Sequence, residues 1–135
     1  MAVKLRGGGN SSVLELDYGN PQIIKKLLRN WSGMEALSLK GDRNATCVLV
    51  DLKEATGIDL DYYSKDSREL FNSRWNNGVL SYCQYMAISY TLVLGYSQDE
   101  IAYMMGVDQS VIARTISRGV KSICRYLVSG GVDSE

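Results

Sequence analysis

The sequence contains no histidine, one proline and one phenylalanine in 135 residues. Without an imidazole, the Ser/His/Asp and Cys/His arrangements of nucleophilic catalysis are excluded. Cysteine is scarce too: Cys47, Cys83 and Cys124 lie far apart, with no close pair and no histidine to complete a zinc set. Their apolar contexts fit reduced, buried thiols in a cytoplasmic protein. No apolar run approaches the ~20 residues of a membrane span, so no membrane partner is expected. Gly7-Gly8-Gly9 is followed by neither a Lys-Ser/Thr pair nor a helix start, which removes a phosphate loop. Enzyme function therefore has no support, and no metal or cofactor is expected. Net charge is missing as well, with 15 Lys and Arg against 15 Asp and Glu. A nucleic-acid partner would have to be met by a local patch, since the whole molecule offers no basic field.

What the chain does have is a hydrophobic fraction of 45% and charged residues at 22%, the composition of a globular domain that can bury a core. Its most informative stretch runs from Gly95 to Ile123. Ser97 is placed to cap a helix, with Asp99 and Glu100 at the positive end of the dipole. Ile101, Met104 and Met105 follow at the spacing of a buried stripe, and Ala102 offers a small side chain where a second helix can cross. Gly106 stops the helix. Asp108 can cap the next one, whose inward stripe is Val111, Ile112, Ile116, Val120 and Ile123. Two short helices around a glycine-containing turn form a helix-turn-helix, whose second helix can enter a DNA major groove. The outward face of that helix is expected to carry Gln109, Ser110, Ala113, Arg114, Ser117, Arg118 and Lys121. Gln and Arg can bond base edges, while Ser and Lys, with Ser97 at the preceding helix start, can hold phosphates. From Gln109 to Val128 there are four cations (Arg114, Arg118, Lys121, Arg125) and no acid.

This segment resembles region 4 of sigma-70-type transcription factors and the related C-terminal modules of phage and prophage sigma-like regulators. The matching residues are Gly95-Tyr96-Ser97, Glu100-Ile101-Ala102, Met105-Gly106-Val107, Ile112, Ile116 and Arg118. The resemblance covers Tyr90 to Tyr126, and Leu80 to Leu94 fits the preceding helix more loosely. It implies a second helix that reads promoter DNA and a module that also touches RNA polymerase. Asp108 and Val111 depart from the usual Ser and Thr near the start of that helix. No tract resembles the aromatic, basic region that melts promoter DNA, so a complete sigma factor is not expected.

The remainder reads as helical. Residues 1–12 are expected to be a flexible tail, and Val13 to Tyr18 a short strand or extended arm. Asn20-Pro21 starts a helix to about Asn30 that buries Ile23, Ile24, Leu27 and Leu28. Trp31-Ser32-Gly33 reads as a break, followed by a short helix over Met34 to Leu39. Asp42 opens a helix through Ala55 with Ala45, Val48, Leu49, Leu52 and Ala55 inward, closed by Gly57. Asp59 and Asp61 lie in a solvated loop, and Asp66 to Asn77 is a further helix. A longer helix from about Val79 to Leu94 places Leu80, Cys83, Ala87, Tyr90 and Leu94 inward, thickened by Tyr82, Tyr85 and Met86.

The expected architecture is all-α: a small multi-helix domain ending in the sigma region 4-like helix-turn-helix, with an N-terminal tail that can be extended. Residues 13–78 form the N-terminal helical region for partner binding or self-association, residues 79–128 the DNA-binding module, and residues 129–135 a tail. The expected function is a sequence-specific, double-stranded-DNA-binding transcription regulator of the sigma-like phage or prophage type, acting with RNA polymerase in the cytoplasm at the nucleoid. A single helix-turn-helix makes a small interface, on the order of 600–1,000 Å², so a homo-oligomer or the polymerase is expected as co-anchor. The alternatives are a DNA-packaging adaptor resembling a small terminase subunit, and a protein-binding antagonist of the polymerase.

Overall fold

The computed structural model describes residues 2–6, 13–58 and 78–130. The helix expected over Asp66 to Asn77 and the Asp59/Asp61 loop lie outside the described residues. Two strands, β1 (Ala2–Arg6) and β2 (Val13–Asp17), pair antiparallel with Ala2 opposite Asp17 and Arg6 opposite Val13. Part of the segment expected as a flexible tail is thus a strand. Residues 2–6 give no such signal alone, because a strand needs a neighbour to satisfy its backbone N–H and C=O groups.

The rest of the described chain is helical, as expected. In α1 (Pro21–Arg29) the Asn20 side chain accepts from Gln22 N at 2.9 Å, and proline occupies the first turn. Ile24 and Leu28 are buried, whereas Ile23 and Leu27 are only half-buried. The break expected at Trp31-Ser32-Gly33 is absent: α2 (Trp31–Leu39) begins directly after Asn30. Trp31 is 0% exposed. Burying an indole yields more than the ~1 kcal/mol that Gly33 costs a helix, so packing overrides the local signal.

Helix α3 (Arg43–Thr56) follows its sequence pattern closely. Asp42 accepts from Ala45 N at 3.1 Å, Gly57 closes the helix, and Ala45, Val48, Leu49, Leu52 and Ala55 are all buried. The buried Tyr18 hydroxyl donates to Asp51 Oδ2 at 2.9 Å, fastening the end of β2 to α3. Burial first, and then the Asp51 charge, holds the Tyr18 phenol above its ordinary range.

The next helix differs from expectation. Helix α4 spans Tyr82–Ile88, starts from a Ser81/Gln84 capping box, and continues as a π-helical turn over Ser89–Val93. Leu94 N donates to Ser89 O at 2.9 Å, and the Thr91 hydroxyl takes the Ala87 carbonyl at 2.6 Å. Tyr85, Ala87 and Ile88 of α4 and Ser89, Tyr90 and Leu92 of the wider turn are all buried, while Leu94, expected inward, is half-buried. Cys83, expected inward, is exposed, and so is Cys47; only Cys124 is buried. Leu80 is buried as expected but lies ahead of the helix.

Helices α5 (Gln98–Met105) and α6 (Gln109–Val128) complete the fold. At 20 residues, α6 is the longest element, about 30 Å by helical rise. It packs against α1, α3, α4 and α5. Its Ile112, Ile116, Val120, Ile123 and Leu127 are buried, and Val111 is half-buried. Each buried isoleucine contributes about 1.5–3 kcal/mol, which makes α6 the axis around which the core forms. Gly119 lets α4 cross closely, since a Cβ there would lie 2.6 Å from Ile88 Cδ1 and 3.2 Å from Gln84 Cβ.

Candidate nucleic-acid interface

The α5–α6 pair is set by short-range chemistry. Ser97 Oγ accepts from Glu100 N at 3.0 Å, while Ser97 N donates to Glu100 Oε1 at 2.8 Å. This reciprocal box occupies two backbone donors at the start of α5. Ser97, proposed from sequence as a phosphate contact, therefore has a structural task. Replacing Ser97 by alanine is expected to lower stability by about 1 kcal/mol, read as a shift in the urea midpoint with unchanged slope.

At the other end, Gly106 has φ +71°, a conformation that favours glycine. Val107 N donates to Ala102 O at 3.0 Å and Gly106 N to Tyr103 O at 3.3 Å, which together form the Schellman closure of a helix. Three residues, Gly106 to Asp108, separate α5 from α6. Asp108 occupies the N-cap position in an extended conformation, but its side chain makes no capping hydrogen bond. The expected Asp108 cap is thus backbone geometry alone, and its exposed carboxylate remains beside the start of α6. Ile101 and Ala102 are buried against the pair, yet Met104, expected inward, is 57% exposed, and Met105 is half-buried. With only two turns, α5 presents a narrow buried stripe, and Met104 falls beyond its edge.

On α6 the core stripe turns the opposite side outward. Ser110, Arg114, Ser117, Arg118 and Lys121 are exposed, and Ala113 is half-buried. Arg114, Arg118, Lys121 and Arg125 recur at intervals of four, three and four residues, so they lie along one line of the helix. Among the described residues, none of Arg114, Arg118 and Lys121 is held in an ion pair. Arg125 Nη2 donates to Ser122 Oγ at 3.2 Å. The line is therefore a positive stripe about three turns long, with Arg114, Arg118 and Lys121 exposed along it. Asp108 is the nearest acid in sequence and sits at one end.

Gln109 is exposed, but it is turned toward α5, where its Nε2 donates to Gln98 Oε1. The sequence missed Gln98, since a glutamine one residue after a cap looks like ordinary helix surface. Its only signal is position: the first turn of α5 faces the first turn of α6. Paired this way, Gln98 fixes the amide of Gln109 while leaving the Gln109 oxygen available as an acceptor.

A second surface adjoins the first. Tyr96, Tyr103 and Met104 are exposed at 40%, 89% and 57%, and with Asp99 and Glu100 they line an open groove along α5. The ring of Tyr96 meets that of buried Tyr90 edge-on, centroids 5.3 Å apart, which anchors one wall of the groove. No group of acids and cysteines suited to a metal ion occurs among the described residues. No helix among them is long and apolar enough to cross a membrane. Comparison with known proteins returns no matching family model, no matching curated protein and no matching solved structure.

Proposed function

We propose that the chain is a double-stranded-DNA-binding transcription regulator of the sigma-like type, with α6 as the helix that enters the major groove. The observation that carries this reading is the outward stripe of Arg114, Arg118 and Lys121, unneutralised by any acid on α6 and backed by the buried Ile112, Ile116, Val120 and Ile123. A cationic helix so displayed, preceded by a short helix and a tight turn, has the form of a groove-reading element. Arg114 and Gln109 serve as base-edge contacts. Ser110, Ser117, Arg118 and Lys121 serve as phosphate contacts, with Ala113 giving close approach to the groove floor. Ser97 supports the unit by capping α5.

The groove on α5 supports a protein co-anchor, RNA polymerase, in the same reading. Asp99 and Glu100 would repel DNA phosphates, whereas the exposed Tyr103 and Met104 gain by leaving water. DNA and a protein partner thus have separate surfaces of opposite character. The role is that of a non-enzymatic binder, and the nucleoid is its place of action.

The test is binding of the full chain to duplexes selected from random sequence, with and without RNA polymerase. Arg114→Ala is expected to cost about 1–3 kcal/mol on the selected site and to relax preference at one base pair. Lys121→Ala should weaken all duplexes alike and reduce the salt slope by about 1. If neither variant changes duplex binding at low salt, α6 does not read DNA. Tight binding without sequence preference, in a closed ring of many copies, would instead indicate a packaging adaptor.

A further inference from the structure

Helix α3 carries a solvent-facing line that the core does not use: Arg43, Cys47, Val50 and Glu54, all exposed. Their spacing of four, three and four residues places them on one stripe, opposite Ala45, Val48, Leu52 and Ala55. The order of chemistry along it is cation, thiol, aliphatic, anion. Reversed in direction, the line complements itself. Two copies laid antiparallel bring Arg43 of each against Glu54 of the other, and Cys47 against Val50.

A second observation points the same way. Arg43 stands in the first turn of α3, where the helix dipole is positive, and the first turn contains no acid. Glu54 stands near the negative C-terminal end, and the half-buried Asp51 carboxylate is held above its ordinary range by burial first and, against the Tyr18 hydrogen bond, by the Glu54 charge. Both charges therefore oppose the dipole of their own helix. The carboxylate next to Arg43, Asp42, is engaged in capping Ala45 N, and an antiparallel partner adds a carboxylate facing Arg43, a guanidinium facing Glu54 and an opposed dipole. Val50, 47% exposed, lies near the middle of the line and gives the seam apolar surface to remove from water.

We propose that the α3 stripe is a self-association surface, and that its occupant is a second copy of this chain packed antiparallel about a two-fold axis between Cys47 and Val50. Such an isologous contact uses the same patch on both copies. The seam is formed by α3, and neither the α6 stripe nor the α5 groove contributes a residue to it. The assignment does not depend on what α6 binds.

Charge exchange on the full chain tests it, with mass read by sedimentation equilibrium at low salt. Wild type is expected to dimerise. Arg43→Glu sets Glu against Glu at both ends of the seam, and Glu54→Arg sets Arg against Arg. Each single variant should dimerise at least tenfold more weakly. Each also places a charge that suits the dipole of its own helix, so neither should melt at a lower temperature when dilute. Mixing the two variants should restore a dimer, one of each, and the double variant Arg43→Glu/Glu54→Arg should dimerise by itself. A wild type that stays monomeric at millimolar concentration overturns the proposal. So does a dimer indifferent to both single exchanges, or a mixture that fails to form the one-to-one species.

Discussion

Replacing Arg114, Arg118 and Lys121 together by alanine is expected to lower affinity for duplex DNA by about 10²–10³-fold near 0.1 M salt. The estimate combines counterion release by the two phosphate-contacting cations, Arg118 and Lys121, a salt slope of roughly −1.8 or about 60-fold between 0.1 M and 1 M, with the loss of the Arg114 base contact, at least about 1 kcal/mol or roughly fivefold. All three side chains are exposed and lie on one line of α6. Their removal creates no cavity and exposes no core residue, so the thermal midpoint should stay within a few degrees of wild type. Titration of a labelled duplex at several salt concentrations reads both quantities. The expected result is weaker binding with a flatter salt dependence and an intact fold. An unchanged slope would show that phosphates are met elsewhere, and α6 would lose its proposed role.

The largest expected loss of stability is at Trp31. Its side chain is the largest of those fully buried, and it opens α2 directly after the end of α1. Truncation removes the transfer energy of the indole and leaves a void that the surrounding helices cannot wholly fill. Trp31→Ala should cost about 3–5 kcal/mol, a fall of roughly 10–20 °C in midpoint for a chain of this size. Trp31→Phe should cost much less, about 1 kcal/mol or below, for a specific reason. The indole Nε1 is buried without a hydrogen-bond partner, so phenylalanine deletes a desolvated donor along with part of the ring. Urea unfolding followed by circular dichroism separates the two variants. Equal losses would mean that the indole N–H is satisfied, and a small loss for alanine would mean that Trp31 is not a keystone of the core.

The two positions illustrate what is legible in a sequence. The α6 stripe was readable because exposure there follows from periodicity alone: Ile112, Ile116, Val120 and Ile123 define an inside, and the cations take the outside. At Trp31 the local signal points the other way, because its neighbours Ser32 and Gly33 are poor helix formers. Only the packing of the indole shows why the helix begins there. The strand over Ala2–Arg6 was hidden for a related reason, since its partner β2 lies beyond residues 7–12 in the chain. The exposed thiol of Cys83 shares the helical face of buried Ala87 but stands in the first turn of α4, right after the Ser81 cap, and periodicity does not say how far along a face the covering core extends.

By itself the amino-acid order determined the helical class, the caps at Asn20, Asp42 and Ser97, the stops at Gly57 and Gly106, and the polarity of α6. These depend on contacts within one or two turns of the chain, where residue identity and spacing are sufficient. The tertiary structure alone decided the start of α2 and the π-helical turn that continues α4. It also decided the hydrogen bond from Gln109 to Gln98 and the exposure of Met104. Each depends on which distant element arrives across from it, and a local pattern carries no record of that neighbour.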